Sequence, residues 1–232
     1  MTRHHQKELE LIYAEKAAEL LNEFWEIEPS PNETSWPDLL VKIESETFGL
    51  EVREIYLDES RKGSTKKAYE KMNLKNIQKL ADAYYNTNYP PIKVDLLGNI
   101  EAHDKLLNAI ISEVSQLKKL EQRRIELYSN CVIYLRRLPN NMNKYKRWNH
   151  ISDKVGLVRN IDEDIIKRVI LKKSKKLSKY SKNISDVRLL LVSNRIFNSG
   201  KTQLNSEITF DRCGFNTIYY LSYPETVWKL NN

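Results

Sequence analysis

The sequence predicts an α/β protein with a central mixed sheet flanked by helices. Three observations lead there. Amphipathic helical stretches and short apolar runs follow one another in the order helix, hairpin, helix, strand, helix, strand, helix, strand, strand. The connections are too long for an all-β fold, and the strands are too frequent for a helical bundle. With 232 residues, 41% apolar and 30% charged, the chain can bury a normal core without staples and is not of disordered composition.

The elements follow from periodicity. Residues 6–25 repeat Leu9, Ile12, Tyr13, Ala17, Leu20 and Phe24 at helical spacing. EPSPNETSWP, residues 28–37, ends that helix as a polar loop. An alternating segment, PDLLVKIESETFGLEVRE, then reads as a hairpin with its turn near residues 44–47. Residues 66–85 form a second amphipathic helix, and IKVDLL, residues 92–97, a short strand. A long helical pattern covers residues 99–128, and CVIYLRRL, residues 131–138, is a strand. A polar loop to His150 leads to a lysine-rich helix over residues 161–180. VRLLLVS, residues 187–193, is a buried strand by its near-continuous apolar run, and TIYYLS, residues 217–222, is the last. These elements predict a single domain over residues 1–232, in which residues 1–97 are the core and residues 98–232 a helix–strand elaboration.

Composition narrows the function classes. Cys131 and Cys213 lie far apart with no CxxC spacing, so buried free thiols in a reducing compartment are expected and a zinc site is not. The first residues, MTRHHQKELE, lack an apolar core, so no secretory signal is expected. No apolar run approaches the ~20 residues of a membrane span. A cytoplasmic protein without membrane contact is the expectation.

The formal net charge of +7 is uneven. Thirteen Lys and Arg against four Asp and Glu fall between Lys144 and Lys182, a net of +9, which leaves about −2 for the remainder. That asymmetry suits a polyanion, and nucleic acid is the expected partner. A solvated helix face is the other meaning of such a run.

The hairpin carries the chemistry. On its second strand Glu51 and Arg53 share a face, and with the turn centred between Ser45 and Glu46, Asp38 would lie opposite Arg53 with Glu51 as its diagonal neighbour. Two carboxylates so placed can share a hard divalent cation, and an adjacent cationic side chain can stabilise a phosphate. An ordinary salt-bridged surface strand pair is the alternative.

Pro37-Asp38 followed by Glu51-Val52-Arg53 resembles the motif of the PD-(D/E)XK nuclease superfamily. The resemblance spans roughly residues 6–97. It implies a restriction-endonuclease-like core and a hydrolase that cleaves phosphodiester bonds of DNA or RNA with Mg²⁺ or Mn²⁺. It places the metal on Asp38 and Glu51, with a glutamate of the first helix, Glu10 or Glu15, as a further ligand and Glu10 preferred on geometry. Arg53 stands where the family has a lysine. Arginine stays protonated, so it can stabilise charge but is a poor base.

Lys173 is a candidate for the missing amine. It falls in the middle of the apolar stripe Ile166, Val169, Ile170, Leu177 and Tyr180, where a lysine either snorkels or meets a carboxylate. Lys172, Lys175, Lys176 and Lys179 fall off the stripe, and with Arg147 and Trp148 they are the expected nucleic-acid contacts. NSGKT, residues 198–202, has the end of a phosphate loop without its upstream glycine, and the four histidines lack ligand spacing. The sequence therefore predicts a Mg²⁺- or Mn²⁺-dependent endonuclease, able to act as a homodimer. The alternative is a non-catalytic nucleic-acid or protein-binding module on the same fold.

Overall fold

The computed structural model describes residues 3–32, 34–60, 63–98, 100, 103–128, 131–143, 145–151, 158–204 and 210–230. Its elements, in chain order, are α1 (Arg3–Leu21), β1 (Glu26–Pro29), β2 (Leu39–Ile43), β3 (Glu46–Glu54), α2 (Thr65–Tyr85), β4 (Ile92–Gly98), α3 (His103–Val114), β5 (Gln122–Tyr128), β6 (Cys131–Arg137), β7 (Asn149–Ile151), β8 (Arg159–Asn160), α4 (Glu163–Ser174), α5 (Leu177–Tyr180), β9 (Val187–Asn194), β10 (Thr202–Gln203), β11 (Thr217–Tyr223) and β12 (Thr226–Leu230). The chain divides into two compact units, one of Met1–Thr65 with Leu157–Asn232, the other of Lys66–Gly156. The division does not fall at the boundary near residue 97 that the sequence suggested. The second unit interrupts the first, whose sheet is completed by strands from the far end of the chain.

The first unit has a six-stranded mixed sheet in the order β1-β2-β3-β9-β11-β12. β1, β2 and β3 run antiparallel as a meander, β3, β9 and β11 are parallel neighbours, and β12 closes the edge antiparallel to β11. β9 lies between two parallel partners and is buried on both faces, which is why its sequence is a near-continuous apolar run rather than an alternation. α1 packs Tyr13, Ala14 and Ala17 on Phe48, Leu50, Val52 and Leu190. α4 and α5 pack Ile166, Val169, Ile170 and Tyr180 with Leu189, Leu191 and Tyr220. The short parallel pair of β8 and β10 completes the unit.

The second unit has a four-stranded sheet in the order β5-β6-β4-β7, with Ile92, Val94, Leu96, Ile133 and Leu135 packed together with Leu80 of α2 and Leu106 and Ile110 of α3.

Several elements differ from the sequence expectation. α1 ends at Leu21 because Asn22 takes a φ of 56°, so Phe24 leaves the apolar stripe and is 81% exposed while Trp25 is buried. β1 begins directly after the expected helix and runs into the residues expected to be a polar loop. The pattern over residues 99–128 is not one helix. α3 stops at Val114, Leu120 turns with a φ of 66°, and β5 begins at Gln122. Within β5, Arg123, Ile125 and Leu127 alternate with more exposed residues, a strand period that the charged side chains obscure. The helix expected over residues 161–180 is two, broken at Lys175-Lys176, with Asp162 capping α4 through a 2.9 Å bond from the Asp164 amide.

Among the described residues no helix is long and apolar enough to cross a membrane. Cys131 is buried and Cys213 half-buried.

Candidate active site

The hairpin of β2 and β3 sets the site. Ile43 pairs with Glu46 across a two-residue turn at Glu44-Ser45, and Leu39 pairs with Leu50. Continuing that register by one residue puts Asp38 directly opposite Glu51, not opposite Arg53. The difference from the expected pairing comes from the tighter turn, in which Glu44 adopts a φ of 50°. Asp38 is held in place by its own strand partner, since the Val52 amide donates to Asp38 Oδ2 at 2.8 Å. The Pro37 ring lies over Gly49, where a Cβ would come within 2.3 Å of Pro37 Cγ. A glycine is required there for the proline, and hence Asp38, to sit at the start of β2.

Glu51 is fully buried. Its Oε1 accepts from Lys173 Nζ at 2.5 Å and from Lys176 Nζ at 2.7 Å, and its Oε2 accepts from the Tyr180 hydroxyl at 2.8 Å. Lys173 Nζ also reaches the Val52 carbonyl at 3.4 Å. Lys173 thus comes from the apolar face of α4 onto the carboxylate of β3. Lys176 differs from the expectation that it lies off the stripe: residues 173, 176 and 180 form one row across the junction of α4 and α5. That i, i+3, i+7 spacing was the sequence signal for Lys176 and Tyr180.

Charge in this cluster follows from its packing. Burial opposes ionisation of Glu51, but the two ammonium groups outweigh it and hold the carboxyl below its usual range. Burial, then the Glu51 charge, push Asp38 up. Burial and the Asp38 charge raise Glu10 to about 7, with Glu51 adding to the rise and Lys173 opposing it. Glu10, on α1, is thus half-buried within range of these charges and accepts from Gln6 Nε2 at 2.9 Å, whereas Glu15 is exposed. Burial disfavours the Lys176 charge, but the Glu51 carboxylate more than compensates and raises its pKa.

α1 is anchored one turn beyond Glu10. The Tyr13 hydroxyl donates to Glu54 Oε1 and accepts from Asn194 Nδ2 at 2.8 Å, tying the helix to β3 and β9. Tyr56 donates to the other Glu54 oxygen. Neither Tyr13 nor Glu54 stood out from the sequence beyond the apolar stripe.

The remaining residues lie elsewhere. Arg53 is ion-paired to Glu59, whose side chain is largely buried. Lys172, Lys175 and Lys179 are exposed on the first unit. Arg147 is exposed on the second unit. Trp148 corrects the expectation of a base-stacking residue: it is buried, with its ring 5.4 Å from Tyr84 and 6.2 Å from Tyr85. The basic segment is itself divided between the units, and Lys144 and residues 152–157 lie outside the described residues.

No protein family, no curated protein and no solved structure matches the chain.

The donor set has the chemistry of a hard-cation site. Asp38, Glu51 and Glu10 offer carboxylate oxygens, and two of them carry raised pKa values that a nearby divalent charge would relieve. Among the described residues, no three His, Cys, Asp or Glu side chains are gathered to hold a metal ion as they stand. Both oxygens of Glu51 are taken by Lys173, Lys176 and Tyr180.

Proposed function

We propose that the first unit is a metal-dependent nuclease with a restriction-endonuclease-like core, a hydrolase of phosphodiester bonds in DNA or RNA. The observation that carries this reading is the meeting of Asp38, Glu51 and Lys173, three residues from the start of β2, β3 and α4, with Glu10 of α1 near enough to feel their charges. Asp38 and Glu51, with Glu10, would hold Mg²⁺ or Mn²⁺. The bound ion would polarise the phosphate and supply a water of lowered pKa.

The chain's own residues do the rest. The Val52 amide fixes Asp38. Tyr180 orients Glu51 through Oε2. Lys173 presents a desolvated ammonium beside Glu51, in the role that Arg53, engaged with Glu59, does not fill. A charge so placed stabilises the anionic transition state without reorganising at the moment of reaction. Exposed Lys172, Lys175 and Lys179 supply backbone contacts.

A second reading has its own observation. Glu51, with every oxygen bonded, also suits a static ion cluster in a non-catalytic nucleic-acid-binding module.

Cleavage of single- and double-stranded DNA and RNA with and without Mg²⁺ or Mn²⁺ separates the two. The nuclease reading expects metal-dependent cleavage that Asp38→Ala with Glu51→Ala abolishes. It also expects Lys173→Met to lower the rate ~100-fold or more, while Tyr180 still holds Glu51 through Oε2. Binding without cleavage under every metal condition would leave only the module.

A further inference from the structure

We propose that Lys176 is the displaceable occupant of this carboxylate site: it holds Glu51 Oε1 when no divalent ion is bound and yields that oxygen when one binds. The inference rests on the metal-site reading above and names how that site is opened.

Glu51 Oε1 has two ammonium partners, at 2.5 Å from Lys173 and 2.7 Å from Lys176. The two lysines are not equivalent. Lys173 projects from the apolar face of α4, its side chain is 17% exposed, and it has a further acceptor in the Val52 carbonyl at 3.4 Å. Withdrawing it would take an ammonium away from both its acceptors in a buried setting. Lys176 lies at the two-residue break between α4 and α5, and its side chain is 44% exposed. Its ammonium donates to Glu51, and its flexible stem lets the head return to water at small cost.

Charge points the same way. Lys173 and Lys176 together match Asp38 and Glu51, two cations against two carboxylates. A divalent ion added to that set leaves two positive charges in excess. Departure of Lys176 removes one of them. Asp38 need not move, because its Oδ2 is pinned by the Val52 amide and no lysine bond to it has to break. The ion thus needs one exchange, at Glu51 Oε1, and Lys176 is the partner that can make it.

Calorimetric titration of the full chain with Mn²⁺ tests this. A competitor that holds the ligand most of the time weakens apparent affinity by the free fraction, so Lys176→Met should tighten Mn²⁺ binding by about tenfold. Lys176→Gln should do the same and serves if the methionine variant folds poorly. Lys175→Met, which removes an equal charge from the neighbouring exposed position, should leave the affinity within twofold or so. On the unaltered chain, saturating Mg²⁺ should shift the Lys176 side-chain resonance and leave that of Lys175 in place.

Unchanged or weaker Mn²⁺ affinity in both Lys176 variants, with wild-type binding still abolished by Asp38→Ala and Glu51→Ala, overturns the exchange and leaves the metal site standing. An equal gain in Lys175→Met also overturns it, since general charge would then explain the effect. Mn²⁺ binding that survives loss of both carboxylates, or that is absent in wild type and Lys176 variants alike, overturns the metal-site reading and the exchange with it.

Discussion

Burial and the charge of Asp38 raise the Glu10 carboxyl from 4.5 to about 7 in the folded chain. A carboxyl that holds its proton more tightly when folded stabilises the fold in its protonated form. That contribution is complete below pH 4.5 and is lost as pH rises through about 7. Without divalent ions, thermal stability should therefore decline between those limits. Glu10→Gln, which stays neutral, should make the decline shallower and raise the melting temperature at pH 8. An unchanged slope in the variant would show that Glu10 does not sense Asp38. The same residue illustrates what a helical pattern leaves open: Glu10 and Glu15 lie on one helix, and only the packing of α1 leaves Glu10 half-buried within range of the Asp38 charge and Glu15 in solvent.

The β2–β3 hairpin shows how one element positions a site through its register. A two-residue turn, rather than the wider one expected, brings Asp38 from beside Arg53 to opposite Glu51. Like charges directly opposed in a ladder are unfavourable, and here two lysines from a distant helix pair offset them. Gly49 is the least replaceable position of this element. A Cβ there would stand 2.3 Å from Pro37 Cγ and must displace either the proline or the strand. Gly49→Ala should cost about 1–3 kcal/mol of stability by overpacking. Because the displaced residue precedes Asp38, the variant should also bind Mn²⁺ more weakly than its stability loss explains. Chemical unfolding alongside calorimetry checks both, and a neutral substitution would mean that Pro37 does not anchor the strand.

For the molecule as a whole, the basic segment does not belong to one folded unit. It is split between two units, Trp148 is spent on the core of the second, and Lys176 is engaged with Glu51. Lys172, Lys175 and Lys179 remain exposed on the first unit. Replacing these three by glutamine should weaken binding to a DNA or RNA duplex at low salt. It should also make log affinity fall less steeply with log salt, by up to about 2.7 in slope, since each phosphate no longer neutralised accounts for ~0.9. Equal slopes for variant and wild type would make this run a solvated face.

The α/β class, the hairpin, the helix ending at Tyr85 and the central strand at Val187 were legible in the chain because each has a clear hydrophobic period. The pair Asp38 and Glu51 was legible from spacing on a short hairpin, and Lys173 from being the one lysine in an apolar stripe. β1 and β5 were not legible, since edge strands dense in charged residues carry little apolar alternation. The hairpin register was beyond reach too, because it depends on one positive φ at Glu44. Local periodicity thus determined which residues line the hairpin and the lysine helix. Bringing Lys173, Lys176 and Tyr180 onto Glu51, more than a hundred residues away in the chain, was decided only by the tertiary packing of α4 and α5 on the sheet. A period tells which face of an element is buried, and not what that face will meet.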